Sequence, residues 1–323
     1  MLIPLIQNET LKILRRRRFT VVVAILAVIL SIVSYSQVEK LRRTRNTNWR
    51  ADLQERIARF ENYIRRTRGN EAWARGTRTE IQRLQFYLDH DINPDLPTAP
   101  LVVRVFANVA GWLLPLLVAV IGSDIVSAEA AEGTNKLLLT RPVRRWKILT
   151  SKLITLLMFA TLTLIVGAVI AWVVTSPFIP ARGWSAPMFN GFQLTGENVK
   201  MDNIRELPLW KDAMIAYGLE WYALLAVAAI SILLSVVFRS SAAAIGTMLA
   251  SLIGGTILTR ISPDWTAGKY LFVGALPLAD YYSGQAPPYE GMSMTFCMVL
   301  LAVWSIASLA AAYTVFIRKD VFG

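Results

Sequence analysis

Apolar residues fall in six blocks separated by polar segments of very unequal length. The blocks run over residues 19–36, 101–122, 153–175, 216–238, 242–258 and 292–317. A helix rises about 1.5 Å per residue and a hydrocarbon core is about 30 Å thick, so about twenty apolar residues cross it. Each block therefore predicts a transmembrane helix; the fifth is the shortest and the richest in glycine. The first block is too long for the apolar core of a signal peptide. Tyr35-Ser36-Gln37 also lacks the small residues of a cleavage site, so this block reads as a retained span.

The polar segments carry their own periods. In residues 1–17, Leu2, Ile3, Leu5, Ile6, Leu11, Ile13 and Leu14 oppose Asn8, Glu9 and Lys12, which predicts an amphipathic helix lying in the membrane interface. A disordered tail is the alternative. In the hydrophilic segment 38–100, Trp49, Leu53, Ile57, Phe60 and Ile64 form one helical stripe, and Ile81, Leu84 and Leu88 form a second. Arg68-Gly69-Asn70 separates the stripes, and Asn93-Pro94 with Pro97 ends the second, so the pattern predicts a helical hairpin. Segment 176–215 has room for a short helix and shows no clear period. Segment 259–291 is a proline-bearing loop, and Arg239-Ser240-Ser241 joins the fourth and fifth spans in a tight turn. The expected fold is an all-α membrane protein: an interfacial helix at 1–17, a first span at 18–37, the hairpin at 38–100 and five further spans in 101–323.

Composition fits this class, with 54% hydrophobic residues and a mean hydropathy of +0.45. The net charge is +12, and its distribution matters more than its size. Arg15, Arg16, Arg17 and Arg18 precede the first span. Lys136, Arg141, Arg144, Arg145, Lys147 and Lys152 lie between the second and third, and Arg318 and Lys319 follow the sixth. All three places fall on one side of a six-span chain. The positive-inside bias puts that side and both termini in the cytoplasm of a bacterial cell membrane, with the hairpin outside. The hairpin's own arginines point the other way, but loops of about 60 residues escape the bias; an inverted chain with the hairpin inside is the alternative. Anionic lipid headgroups, not nucleic acid, are the partners these cations suit.

Catalytic chemistry finds no foothold. Cys297 is the one cysteine, so neither an intrachain disulfide nor a cysteine metal site can form. His90, the one histidine, excludes a His-Glu-x-x-His site, and with Asp89, Asp91 and Asp95 it reads as a solvated helix end. No phosphate-binding loop and no Gly-x-Ser-x-Gly elbow occurs, so the chain is expected to be no enzyme and to bind no cofactor. A membrane-embedded enzyme would cluster ionisable residues at one depth. Arg104 and Asn108 in the second span and Glu220 in the fourth lie near the outer ends and read as side chains snorkelling to water. In the fifth span, Ala242, Gly246, Ala250 and Gly254 make a small-residue face that admits close helix approach, within one subunit or between two.

The most informative segment is the loop 123–152. Ser123 and Asp124 can cap a helix, on which Glu129 and Glu132 are expected to be exposed. Gly133 permits a sharp bend, and Thr134 can cap the piece that carries Leu137, Leu138 and Leu139. Pro142 ends that piece and biases Arg141 away from helix. The product is a short helix held between two bends under the membrane. An ordinary solvated connector would need neither the bend nor the leucine face. Glu129, Glu132-Gly133-Thr134, Leu137-Leu138, Pro142-Val143-Arg144 and Lys152 closely resemble the coupling segment of ABC-2-type transporter permeases. The charged insert ending in EIQRLQFYLDHDINP is similar to that of a bacterial branch of the family. The Arg239 turn is shorter than a second docking surface would need.

The resemblance implies a permease subunit, an exporter, whose loop docks on a separate ATPase through Glu129, Glu132, Gly133, Thr134, Leu137, Leu138, Arg141, Pro142 and Arg144. It implies two ATPase copies that hold ATP and Mg, and a second permease copy packed near Gly246, Ala250 and Gly254. The alternative function is a non-transporting receptor or immunity protein that binds through the outward hairpin.

Overall fold

The computed structural model describes residues 2–15, 17–45, 48–66, 71–94, 98–132, 143–190, 193–195, 198–200, 205–262, 265–285, 287–289 and 291–318, with side chains except at 40–45, 71–76, 79, 190 and strands 193–195 and 198–200. The helices are α1 (Leu2–Arg15), α2 (Arg18–Arg45), α3 (Trp49–Arg66), α4 (Glu71–Asp89), α5 (Ala99–Asp124), α6 (Ser127–Ala131), α7 (Arg145–Thr175), α8 (Leu209–Val237), α9 (Ser241–Ile261), α10 (Leu278–Tyr282) and α11 (Met294–Arg318). Six stretches are long and apolar enough to cross a membrane: most of α2, α5 with α6, α7, α8, α9 and α11. They coincide with the six apolar blocks.

Helices α5 and α8 form the centre of the bundle, with most of their apolar side chains turned inward. Their contacts advance in step. Arg104 meets Asp212, Gly111 meets Glu220, Gly122 meets Ser231 and Val126 meets Ser235, so the two helices run in the same direction. Between spans in lipid, close packing and polar contacts rather than apolar transfer hold helices together. Gly122 shows the closeness: a Cβ there would lie 2.7 Å from that of Ser231 and 2.8 Å from a Leu156 methyl on α7. Gly167 on α7 likewise leaves room for the ring of Phe106. By contrast, α9 buries only Ala244, Met248 and Leu252.

Helices α3 and α4 pack on each other through Leu53, Ile57, Ile81 and Leu84, with Phe60, Ile64 and Leu88 at the edge of that core. Each such leucine, taken from water, contributes about 1.5–3 kcal/mol. The segment after α7 corrects the expectation of a short helix there. Strands β1 (Pro187–Asn190) and β4 (Arg205–Pro208) pair antiparallel, as do β2 (Gln193–Thr195) and β3 (Asn198–Lys200). Strands of three or four residues are too short to show a period, which is why none was visible. Phe189 of β1 joins the α3–α4 core.

Candidate functional site

The base of the 123–152 loop is built by hydrogen bonds that aim α6. The backbone N–H groups of Val126 and Ser127 both donate to Ser235 Oγ on α8, at 2.9 and 3.0 Å. Ser127 Oγ donates to the Ser123 carbonyl at 2.8 Å. This pins the first turn of α6 beneath α8 and turns Glu129 inward. Lys152, in the third turn of α7, meets it there. Lys152 Nζ lies 2.8 Å from Glu129 Oε1, 2.7 Å from Glu9 Oε2 on α1 and 3.1 Å from the Ile125 carbonyl. Lys12 Nζ closes the cluster, 2.6 Å from Glu129 Oε1 and 2.8 Å from Glu9 Oε1. Beside it, Arg18 of α2 pairs with Asp124 at the end of α5.

Two ammonium groups thus face two carboxylates, and Lys152 is only 1% exposed. Desolvation pulls the Lys12 ammonium downward, but its hydrogen bonds to Glu129 and Glu9 outweigh that and hold its pKa above the usual lysine value. A charge buried this deeply persists only when it is paired and hydrogen-bonded. The geometry corrects two expectations. Glu129 is buried, not exposed, because α6 follows α5 so closely that its first turn is still inside the bundle. Glu9 is also buried; α1 turns Glu9 and Ile13 toward the protein and leaves Ile3, Leu11 and Leu14 outside.

Of the other loop residues, Glu132 is exposed at the C-cap of α6, where its N–H donates to the Ala128 carbonyl at 2.9 Å. Arg144 is exposed at the N-cap of α7. Gly133, Thr134, Leu137, Leu138, Arg141 and Pro142 lie outside the described residues. On α9, Gly246 and Ala250 are exposed, and a Cβ at Gly246 or Gly254 would meet nothing within 4 Å. Among the described residues, this face therefore takes no part in packing within the subunit.

A second ionic cluster lies at the opposite end of the bundle and replaces the expectation of snorkelling side chains. Arg104 is 4% exposed. Its guanidinium pairs with Asp212 of α8 and donates to Asn108 Oδ1 at 2.6 Å and to Ser283 Oγ at 2.7 Å. Glu220 is 1% exposed; its Oε1 accepts from the Ala279 N–H at 3.2 Å, and its Oε2 has no hydrogen-bond partner. Asp212 escaped the sequence reading because it precedes the apolar block at 216–238 and looked like loop. The signal that could have found it is Arg104 itself, since an arginine in an apolar helix demands an acid.

The comparisons bear on this architecture. A protein family described as "Protein of unknown function (DUF2705)" matches residues 78–322. The chain belongs to the DUF2705 family. The match takes in α5 through α11 and the second half of the hydrophilic segment. The chain is 28% identical over 323 residues to "Uncharacterized protein YhcI" of Bacillus subtilis (strain 168), covering 99% of each chain. It is 26% identical over 213 residues to "Uncharacterized membrane protein YdbK" of the same organism, covering 65% of this chain and 78% of that one. With six apolar helices of spanning length, this DUF2705 chain is a multi-pass membrane protein.

Proposed function

We propose that this chain is the membrane-spanning subunit of an ABC-2-type exporter, driven by a separate ATPase that docks on the 123–152 loop. The observation that supports the reading most is the ionic clasp. Glu129 on the outgoing arm of the loop and Lys152 on the returning arm are bonded to each other, and both are bonded to α1 through Glu9 and Lys12. A push on the segment between those arms is therefore delivered to α5, α7 and α1 together. A slack connector would absorb it. Exposed Glu132 and Arg144 flank that segment, as a docking surface requires. In this reading the loop and both termini are cytoplasmic and ATP and Mg sit on the partner. The open face of α9, with Gly246, Ala250 and Gly254, meets a second copy.

Co-expression of the chain with its ATPase tests the proposal. The purified chain alone should hydrolyse no ATP, and the pair should co-purify as a complex. Glu132→Lys and Gly133→Pro should each weaken the complex or its transport-stimulated hydrolysis while the chain still inserts and folds. Full transport by both variants, with the ATPase bound as tightly as before, would overturn the reading. Survival of the biological role after loop disruption would favour a receptor.

A further inference from the structure

A cavity of about 870 Å³ opens at the hairpin end of the bundle, between α5, α9 and the segment 265–289, with α4 as its roof. Trp112 and Leu116 of α5 and Leu252, Ile253 and Ile257 of α9 give it apolar walls. Trp112, Ile253 and Ile257 are each half or more exposed, the two isoleucines on the α9 face that carries Gly246, Ala250 and Gly254, so in the single chain the cavity is open along that face as well as upward. A site this size accommodates an organic ligand.

Its charged groups are two carboxylates, Asp280 and Glu80, and two guanidinium groups, Arg83 and Arg260. At the floor they accept. Asp280 lines the cavity and is half-buried. Glu220 lies directly behind it: its carboxylate touches the Ala279 N–H and sits 2.9 Å from where a Cβ of Gly111, another lining residue, would stand. Glu220 Oε2 is buried with no donor. Pro115, one turn beyond Gly111, lacks the N–H that would bond the Gly111 carbonyl. Nearer the rim, a guanidinium group stands beside Glu80. Arg83 of α4 commits Nη2 to Glu80 at 2.8 Å and Nη1 to the Ser283 carbonyl at 3.1 Å, but its Nε is buried without a partner. Arg260, on the last turn of α9, adds a second guanidinium.

We infer that this cavity binds a zwitterionic amphiphile, its ammonium N–H groups on Asp280, its anionic group at Arg83 and Arg260, and its chain against Trp112, Leu116 and Ile257. A neutral amphiphile leaves the Asp280 carboxylate and the Arg260 guanidinium, both of which line the cavity, without a counter-charge. A quaternary ammonium supplies charge but no N–H. Binding by the chain does not depend on an ATPase; only the status of the occupant as cargo rests on the exporter reading.

Native mass spectrometry of the purified full chain in a neutral detergent, without ATPase, reads this out. Lysophosphatidylethanolamine should bind once per chain. Lysophosphatidylcholine, which lacks N–H donors, and lysophosphatidic acid, which lacks the amine, should each bind at least about tenfold more weakly, the factor a lost charge-assisted hydrogen bond carries. Asp280→Asn should reduce lysophosphatidylethanolamine to the level of lysophosphatidic acid and leave the latter unchanged. Ile257→Trp, which narrows the cavity without touching its charges, should reduce all three. Equal binding of the three lipids, or unaltered selectivity in Asp280→Asn, would overturn the inference whatever the coupling experiments give. Should Asp280→Asn fail to fold, the lipid series and Ile257→Trp decide the matter on their own.

Discussion

At the loop end of the bundle, Lys12 and Lys152 face Glu9 and Glu129, and each of the four side chains bonds to two others. At the hairpin end, Arg104 faces Asp212, while Glu220 and Asp280 crowd the same neighbourhood and one oxygen of Glu220 goes without a donor. The first cluster is balanced in charge and closed. The second holds more carboxylates than cations, and one of them, Asp280, lines a cavity. A closed, balanced cluster locks three helices into one unit and gains nothing from a ligand. An acid-rich cluster with one carboxylate in a cavity wall offers that carboxylate to an incoming cation. The proposed force transmission falls at the first end and the inferred ligand site at the second.

The largest effect is expected at Lys152. Lys152→Met leaves Glu9 and Glu129 buried with only Lys12 between them. Loss of one partner from a buried pair costs about 3–5 kcal/mol, and this change should reach the upper end. Denaturant unfolding of the purified chain measures it; an unchanged midpoint would show that the clasp carries no load. Arg104→Met should fall toward the lower end of the same about 3–5 kcal/mol range, since only Asp212 loses an ion-pair partner. A smaller contrast separates two kinds of glycine. Gly167→Leu drives a side chain into the Phe106 ring and should cost about 1–3 kcal/mol by overpacking. Gly246→Leu and Gly254→Leu meet open space and should leave the unfolding midpoint alone while lowering the dimer fraction in cross-linking. Unchanged dimer content in both would remove that face from assembly.

The smallest effect is a titration. Burial pushes the Asp280 carboxyl from its usual 3.8 up to about 6, with Arg104 pulling it back. The folded state thus binds this proton more tightly than the unfolded chain. Its contribution to stability is full below pH 3.8 and is lost as pH rises to about 6. Asp280→Asn should flatten the pH dependence of stability in that window. An identical slope in both proteins would mean that Asp280 titrates as an ordinary surface acid.

The six spans were legible because about twenty apolar residues in a row admit few other uses in a chain this hydrophobic. The α3–α4 core was legible for a similar reason, since Leu53, Ile57 and Ile81, Leu84 repeat at helical spacing. The ionic clusters were not. Lys152 and Glu9 are 143 positions apart, and Arg104 and Asp212 are 108 apart; a pairing at that range leaves no local pattern. Glu129 misled for a local reason: it stands beside Glu132 in a polar loop, yet Ser235 of α8 holds its helix inside the bundle. Lys152 read as one of several cations beside the membrane and as the last residue of a motif, and the cavity around Asp280 required the hairpin, two spans and a proline-rich loop to be assembled first.

On the exporter reading, an ATPase grips the chain between Glu132 and Arg144. A photoreactive amino acid placed at Leu138, in native membranes, tests it most directly. Illumination should yield a covalent adduct of this chain with an ATP-binding subunit, absent when the same probe stands at Arg59 on the hairpin. No adduct from Leu138, or one that carries no ATP-binding protein, would overturn the exporter reading.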